Sequence, residues 1–376
     1  MKTNKTISTT VLRTSFRIGL SAIIGLALFA SSAKVNANGT EHFVQVNLVS
    51  DQAGVAQIQD TNLVNAWGVS FSAGSPFWIS DNGTGKATLY AVTNGVVTRL
   101  GLVVNIPGEG NPTGQFFNGT PAFHTNLFIF VSEDGTISGW RGALGVNAEI
   151  LAQRTNAVYK GVTWGTNSSG LVLLAANFGE GTVDVYDTNT TLVTQFSDPH
   201  APSGYAPFNV LNLEGLIFVT FAKQDAEKHD DVPGRGHGLI DVLNPQTGQF
   251  HRFATGSDAG GKLKEIDSPW GLALTPNSFG GRHGNELLVG NFGSGTIMTF
   301  NAEGKFQGLL QAHRGGAVKI DGLWALTFGN IGSAGGSTDT LFFTAGPDGE
   351  AHGLFGLLKP FTRQHNQNGQ GDENNP

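Results

Sequence analysis

Five short strings rich in glycine, asparagine and aspartate recur along this chain: DNGTGK at 81–86, EDGT at 133–136, NFGEGT at 177–182, NFGSGT at 291–296 and PDGE at 347–350. Each follows an apolar run (FWIS, LFIFVS, LVLLAA, ELLVG, LFFTA) and precedes a run of alternating character (KATLYAV, TISGW, TVDVYD, TIMTF, GLFGLL). Asn-Gly, Asp-Gly and Phe-Gly pairs supply the positive-φ residues that tight hairpins need. The chain therefore reads as one strand–turn–strand unit repeated many times.

A second segment recurs upstream of the hairpins: Trp67-Gly68-Val69-Ser70-Phe71, Gly161-Val162-Thr163-Trp164, Trp270-Gly271-Leu272-Ala273-Leu274 and Leu323-Trp324-Ala325-Leu326. Thr120-Pro121-Ala122-Phe123 and Pro207-Phe208-Asn209-Val210 are expected to fill the two remaining registers. Small residues here let neighbouring backbones approach closely, as innermost strands around an axis must. Downstream, VVTRLGLVV, AEILAQR, LVTQFSD, GQFHRFA and KFQGLL give five units a fourth strand, and the sixth ends at Leu358 without one. The strand EHFVQVNLVS at 41–50 lacks a partner of its own, so it is expected to complete the last unit and close the ring. The turn positions Asn82, Asp134, Asn177, Asn291 and Asp348 are spaced by 52, 43, 114 and 57 residues, and the long gap holds one further unit. The expectation is an all-β fold, a six-bladed β-propeller over 41–360 closed by an N-terminal strand. A seven-bladed ring and a decorated β-sandwich are the alternatives, and a sandwich explains neither the periodic turns nor the unpaired first strand.

The WG starts and NFGxGT turns resemble propellers of the NHL-repeat and gluconolactonase-like types. With NPTGQFFN at 111–118 and AKQDAEKHDDVPGRGHG at 222–238, the chain is similar to a family of uncharacterised exported bacterial β-propeller proteins. That family carries no assigned chemistry. Gluconolactonase-like propellers hold a divalent cation at the mouth of the central channel, with carboxylate and Asn ligands. By register, the resemblance implies Asn65, Asn118, Asp267 and Asp321 as a Ca²⁺ site, with Asp267 as a catalytic base.

Lys2, Lys5, Arg13 and Arg17 precede an apolar run from Ile18 to Ala30, and small residues follow. This is the pattern of a secretory signal peptide over 1–37, cleaved after Ala33 or Ala37, and it is short for a membrane span. No membrane span is expected after cleavage, and the expected location is secreted or periplasmic. Removal of 1–33 leaves 18 basic residues against 29 acidic ones, which argues against nucleic acid as a partner. With no Cys there is neither a disulfide nor a thiolate ligand, so the core alone must stabilise the fold. The polar stretch 361–376 is expected to be a disordered tail.

The strongest departure from the repeat is the insertion KQDAEKHDDVPGRGHG at 223–238, where other units have a turn of four to six residues. Long loops in compact repeats are usually functional or disordered. His229 and His237 are candidates for general acid–base chemistry, and Asp230, Asp231 and Arg235 for ligand binding. His229, Asp230, Asp231 and His237 do not follow a recognised zinc spacing. The plain alternative is a solvated loop whose charges pair with one another, with Asp267 and Asp321 capping turns. The sequence leaves two functions open. One is a non-catalytic binding or scaffold protein for a small molecule, glycan or envelope protein; the other is a metal-dependent hydrolase of the lactonase type.

Overall fold

Each turn string closes a hairpin, and the hairpins assemble into six sheets, antiparallel apart from two short parallel pairings in the last, arranged as the blades of a propeller. A computed structural model describes residues 42–279, 283–330, 332 and 334–361. The expected signal peptide and the tail beyond Phe361 lie outside the described residues. The innermost strands are Ala66–Ser70, Pro112–Phe117, Tyr159–Asn167, Tyr205–Leu213, Pro269–Leu274 and Leu323–Phe328. The outermost strands of blades 1 to 5 are Val96–Asn105, Glu149–Gln153, Leu192–Phe196, Gln249–Thr255 and Phe306–Leu309. The 114-residue gap holds blade 4, as expected.

Blade 6 is completed by His42–Ser50, which pairs antiparallel with Leu354–Pro360 and places Val46 opposite Leu357. Phe43, Leu48 and Val49 of this strand are buried, and Phe43 stacks on Phe279 of the fifth blade at 5.2 Å. Where the strand ends, Asp51 takes His352 Nδ1 at 2.8 Å and the Gly353 N–H at 2.9 Å. The ring is thus clasped by groups from both ends of the fold. An aromatic cluster of Phe77, Phe342 and Phe355 then fills the seam between blades 6 and 1.

Two expected registers are corrected. In blade 2 the innermost strand is Pro112–Phe117, not the 120–123 segment. The reason is steric: a Cβ on Gly114 would lie 2.7 Å from Gly161 Cα, so only the glycine of NPTGQFF fits the crowded axis. Residues 120–123 belong to the following loop, where Phe123, His124 and Thr125 all take positive φ and Phe123 plugs the seam with blade 3. In blade 3 the counterpart of Trp67-Gly68 is Lys160-Gly161, and Trp164 lies farther along its strand with 42% of its surface exposed.

Every innermost strand is interrupted near its start by a shift in pairing: between Ala66 and Val69, Pro112 and Gln115, Tyr159 and Gly161, Pro207 and Asn209, Pro269 and Gly271, and Leu323 and Leu326. A bulge re-aims the side chain it releases. Here the released residues include Trp67, Thr113, Lys160, Phe208, Trp270 and Trp324, one from each blade, and they form a layer across the channel. The next layer is Gly68, Gly114, Gly161, Asn209, Gly271 and Ala325, small at every place but one.

Candidate functional site

The mouth is the face on which the innermost strands begin, and its floor is solid. Trp67 stacks on Trp324 at 3.6 Å, and Phe292 covers the other side of Trp324 at 3.9 Å. Trp270 meets both indoles edge-on, and Phe208 packs against Trp324. Below this plug a void of only about 40 Å³ is left between the innermost strands, room for little more than a water molecule. The channel is therefore plugged on its mouth side by this aromatic layer.

Asn82, Glu133, Phe178 and Phe292 are each the first residue after the second strand of their blade, so the turn chemistry delivers them to the same level. They divide the rim into an aromatic half and a polar half. On the polar half, Trp324 Nε1 donates to Asn65 Oδ1 at 2.9 Å, and Asn65 Nδ2 donates to Glu350 at 2.6 Å and to Asn82 Oδ1 at 3.2 Å. Asn82 Nδ2 donates to one Glu133 oxygen at 3.0 Å. The other Glu133 oxygen accepts from Lys160 Nζ, which also reaches Asp230 at 3.2 Å. Groups from blades 6, 1, 2, 3 and the blade-4 insertion thus join in one chain.

Lys160 is the electrostatic centre of this chain. Its ammonium lies 5.3 Å from the centroid of the Trp67 ring, where the π face favours positive charge. Burial pushes its pKa down, but Glu133 and Asp230 outweigh burial and hold it above the usual lysine range, so the group is charged. The same pairing, against the upward push of burial, holds Asp230 below the ordinary carboxylate value. Glu350 is pushed up to about 7 by burial, which the Asn65 amide and Lys160 offset only in part.

The insertion folds over the mouth as a strap. Val232 N–H donates to the Lys223 carbonyl at 2.8 Å, and Asp225 Oδ1 accepts the His229 N–H at 2.9 Å, which presents His229 and Asp230 at the tip. Asp267 Oδ1 accepts the Gly234 N–H at 2.6 Å, tying the strap to blade 5; burial raises its pKa against the pull of that N–H and of His237. His237 Nδ1 meets the Val232 carbonyl at 2.7 Å, and its Nε2 faces Asp258 at 3.6 Å. Asp231 is pushed up to about 6 by burial, and Arg235 is exposed. His229 Nδ1 lies 3.0 Å from Asp230 Oδ1. His229 also borders a cleft of about 600 Å³ between blades 2 and 3, with Glu109, Asn111, Glu133, Gln153 and Asn156.

The four residues that the resemblance implies for Ca²⁺ are not brought together. Asn118 follows its innermost strand, so it lies at the end away from the mouth, and its Nδ2 donates to the Thr120, Ala122 and Asn126 carbonyls. Asp321 Oδ2 caps the turn at the Asp348 N–H, 2.8 Å away. Asn65 and Asp267 are engaged as described. Among the described residues, the group that does converge is Glu133, His229 and Asp230, whose candidate ligand atoms lie within 4.8 Å of one another. There the Lys160 ammonium already sits against both carboxylates, so this donor set does not fit a resident divalent cation. Glu133, Glu350 and Asn82 are site residues that motif reading passes over, although each belongs to a recurring turn string.

No family model matches the chain. It is 30% identical over 333 residues to uncharacterized protein R648 of Acanthamoeba polyphaga mimivirus, an alignment covering 83% of this chain and 78% of that protein. Among solved structures, it is similar to a structural genomics protein of unknown function from Bacteroides thetaiotaomicron, with a TM-score of 0.53, 9% identity, and coverage of 85% of this chain and 76% of that one. It is also similar to regucalcin, a calcium-binding protein from Agrobacterium tumefaciens, with a TM-score of 0.49, 13% identity, and coverage of 80% and 91%. At such identities the likeness to solved structures bears on the fold alone. The sequence relative is viral, whereas the resemblance names bacterial proteins.

Proposed function

The chain belongs to the protein family of uncharacterized protein R648 of Acanthamoeba polyphaga mimivirus, and we propose that it is an exported, non-catalytic binding propeller. Its ligand is a small polar molecule or glycan seated in the cleft between blades 2 and 3. The observation that carries this reading is the pairing of a channel plugged on its mouth side with an open, polar cleft of about 600 Å³ beside it. Ligand sites are concave and carry a few oriented polar groups. Gln153 and Asn156 offer both donors and acceptors on the cleft wall, and Glu133 is held in place by Asn82 and Lys160. By contrast, Asp267 accepts the Gly234 N–H and His237 Nδ1 meets the Val232 carbonyl, contacts that give both a structural task in the strap.

The test is a screen of the purified mature protein on a glycan array and against a library of polar small molecules, followed by Gln153→Ala and Asn156→Ala. Loss of binding in both variants at unchanged melting temperature supports the cleft. Binding that survives both variants, or no ligand at all, sinks it. Export rests on the basic and apolar pattern of the first thirty residues. N-terminal sequencing of protein recovered outside the cytoplasm is expected to begin at Lys34 or Asn38, and an intact Met1 refutes cleavage.

One observation favours a second reading, hydrolysis of an ester or lactone. His229 borders the cleft with Nδ1 held by Asp230, an arrangement that leaves Nε2 to take a proton. Turnover of lactone or ester substrates that His229→Ala abolishes would replace the binding reading with this one.

A further inference from the structure

We infer that the mouth is built around a cation that the chain itself supplies, and that Lys160 suppresses a divalent-metal site made of Glu133, His229 and Asp230. This goes beyond the cleft reading and does not depend on it. The three side chains come from blade 2 and from the tip of the blade-4 strap, yet their ligand atoms lie within 4.8 Å of one another. Such convergence of two carboxylates with an imidazole is a metal-binding donor set by composition. Two carboxylates at this separation also repel each other unless a positive charge lies between them. In this chain that charge is the Lys160 ammonium, in contact with Glu133 and 3.2 Å from Asp230.

Lys160 reaches this place because the bulge after Tyr159 turns its side chain to the axis, where the other five blades present Trp, Phe or Thr. Its side chain is 2% exposed, so the ammonium cannot swing into solvent to make way for an ion. A divalent ion beside it would set two cations in the same desolvated space. Shortening residue 160 removes the competing charge, frees one oxygen on each carboxylate and opens the space its four-carbon stem fills. Asn82, the next member of the hydrogen-bonded chain, continues to hold the other Glu133 oxygen in place. One imidazole with two carboxylates suits Zn²⁺ or Mn²⁺ better than Ca²⁺, which takes six to eight oxygens.

The experiment compares the full mature protein with Lys160→Ala and Lys160→Met, each melted with EDTA, ZnCl₂, MnCl₂ or CaCl₂. Wild type is expected to hold no stoichiometric divalent metal and to melt at the same temperature under all four conditions. Lys160→Ala is expected to melt below wild type in EDTA and to gain about 2 °C or more with Zn²⁺ or Mn²⁺. Adding His229→Ala is expected to remove that gain. Lys160→Met, which refills the space without charge, is expected to show little or none of it. If Lys160→Ala does not fold alone, recovery of folded protein on refolding with Zn²⁺ or Mn²⁺, and not with EDTA, supports the site equally. A metal on wild type that His229→Ala releases, or a Lys160→Ala protein that no cation stabilises or rescues, overturns the inference.

Discussion

Asp230 and Lys160, seventy positions apart in sequence, meet at 3.2 Å, and this contact lands the blade-4 insertion on the innermost strand of blade 3. The pair is unequal, since the Lys160 side chain is 2% exposed and the Asp230 side chain 67%. Removing the exposed partner leaves Lys160 still paired with Glu133, so Asp230→Asn is expected to cost about 1 kcal/mol or less. Removing Glu133, 10% exposed, leaves a buried ammonium with the exposed Asp230 as its one carboxylate partner, and Glu133→Ala is expected to cost more, about 2–3 kcal/mol. Urea unfolding of both variants checks the order, and equal losses would contradict this account of the mouth.

Closure of the ring rests on a strand whose first buried side chain is Phe43, packed on Phe279. Truncation removes that contact from a site that cannot collapse, because the opposing Leu310, Leu323 and Phe343 belong to fixed strands and a fixed loop of the core. Phe43→Ala is expected to destabilise by about 3–5 kcal/mol. Hydrogen exchange should quicken first in Leu354–Pro360, which loses its outer neighbour. Uniform quickening across all six blades would instead mean that the strand does not act as a local clasp.

The fold was legible because its signals are local: glycine turns, apolar second strands and an alternating first segment with nothing beside it to pair with. The blade-2 register was not, because Pro112–Phe117 and 120–123 both offer a proline and a small residue, and only the distance from Gly114 to Gly161 separates them. The same misplacement carried Asn118 to the wrong end of its strand. The strap was legible as an insertion, and His229 and Asp230 within it, but the contact of Asp230 with Lys160 was not. Nothing in the strand pattern ties a position at the start of blade 3 to one seventy residues farther on, in a loop of blade 4. Glu133 and Glu350 lay inside quoted turn strings and were read as turn residues.

Buried carboxyls give the protein a predictable pH dependence. Glu350 and Asp241 are each pushed up to about 7 by burial, and Asp231 to about 6. A carboxyl whose folded pKa is raised adds stability fully below its unfolded value near 4, and loses it as pH rises through the folded value. The melting temperature is therefore expected to fall between about pH 4 and 7. Glu350→Gln keeps an acceptor for Asn65 and cannot ionise, so it should flatten part of that slope. A slope unchanged in this variant would place the titration elsewhere.

Asp81 sharpens the same argument, because the corresponding last residue of the second strand is Asn177 in blade 3 and Asn291 in blade 5. Burial raises the Asp81 pKa well above 3.8, with Thr88, Lys86 and Arg99 offsetting it only in part. A neutral carboxyl has nearly the shape of a carboxamide. Asp81→Asn is expected to stabilise by about 1–3 kcal/mol at pH 8 and to make little difference near pH 4. A variant less stable than wild type at both pH values would show that Asp81 is needed as an anion.

The channel layer makes the last prediction a contrast between two glycines that sequence alone does not distinguish. A Cβ on Gly114 would lie 2.7 Å from both Gly161 Cα and Val162 N, two backbone atoms that cannot rotate away. A Cβ on Gly101, in the outer strand Val96–Asn105, meets nothing within 4 Å and needs no unusual φ. Gly114→Ala is expected to spread blades 2 and 3 at the axis and to lose about 1–3 kcal/mol or more, with the Trp67–Trp324 stack disturbed and tryptophan emission shifted. Gly101→Ala is expected to be neutral or slightly stabilising, since it narrows the unfolded ensemble without a clash. If both variants melt alike, close approach of the innermost strands is not what fixes these glycines, and the small layer beneath the aromatic plug would need another cause.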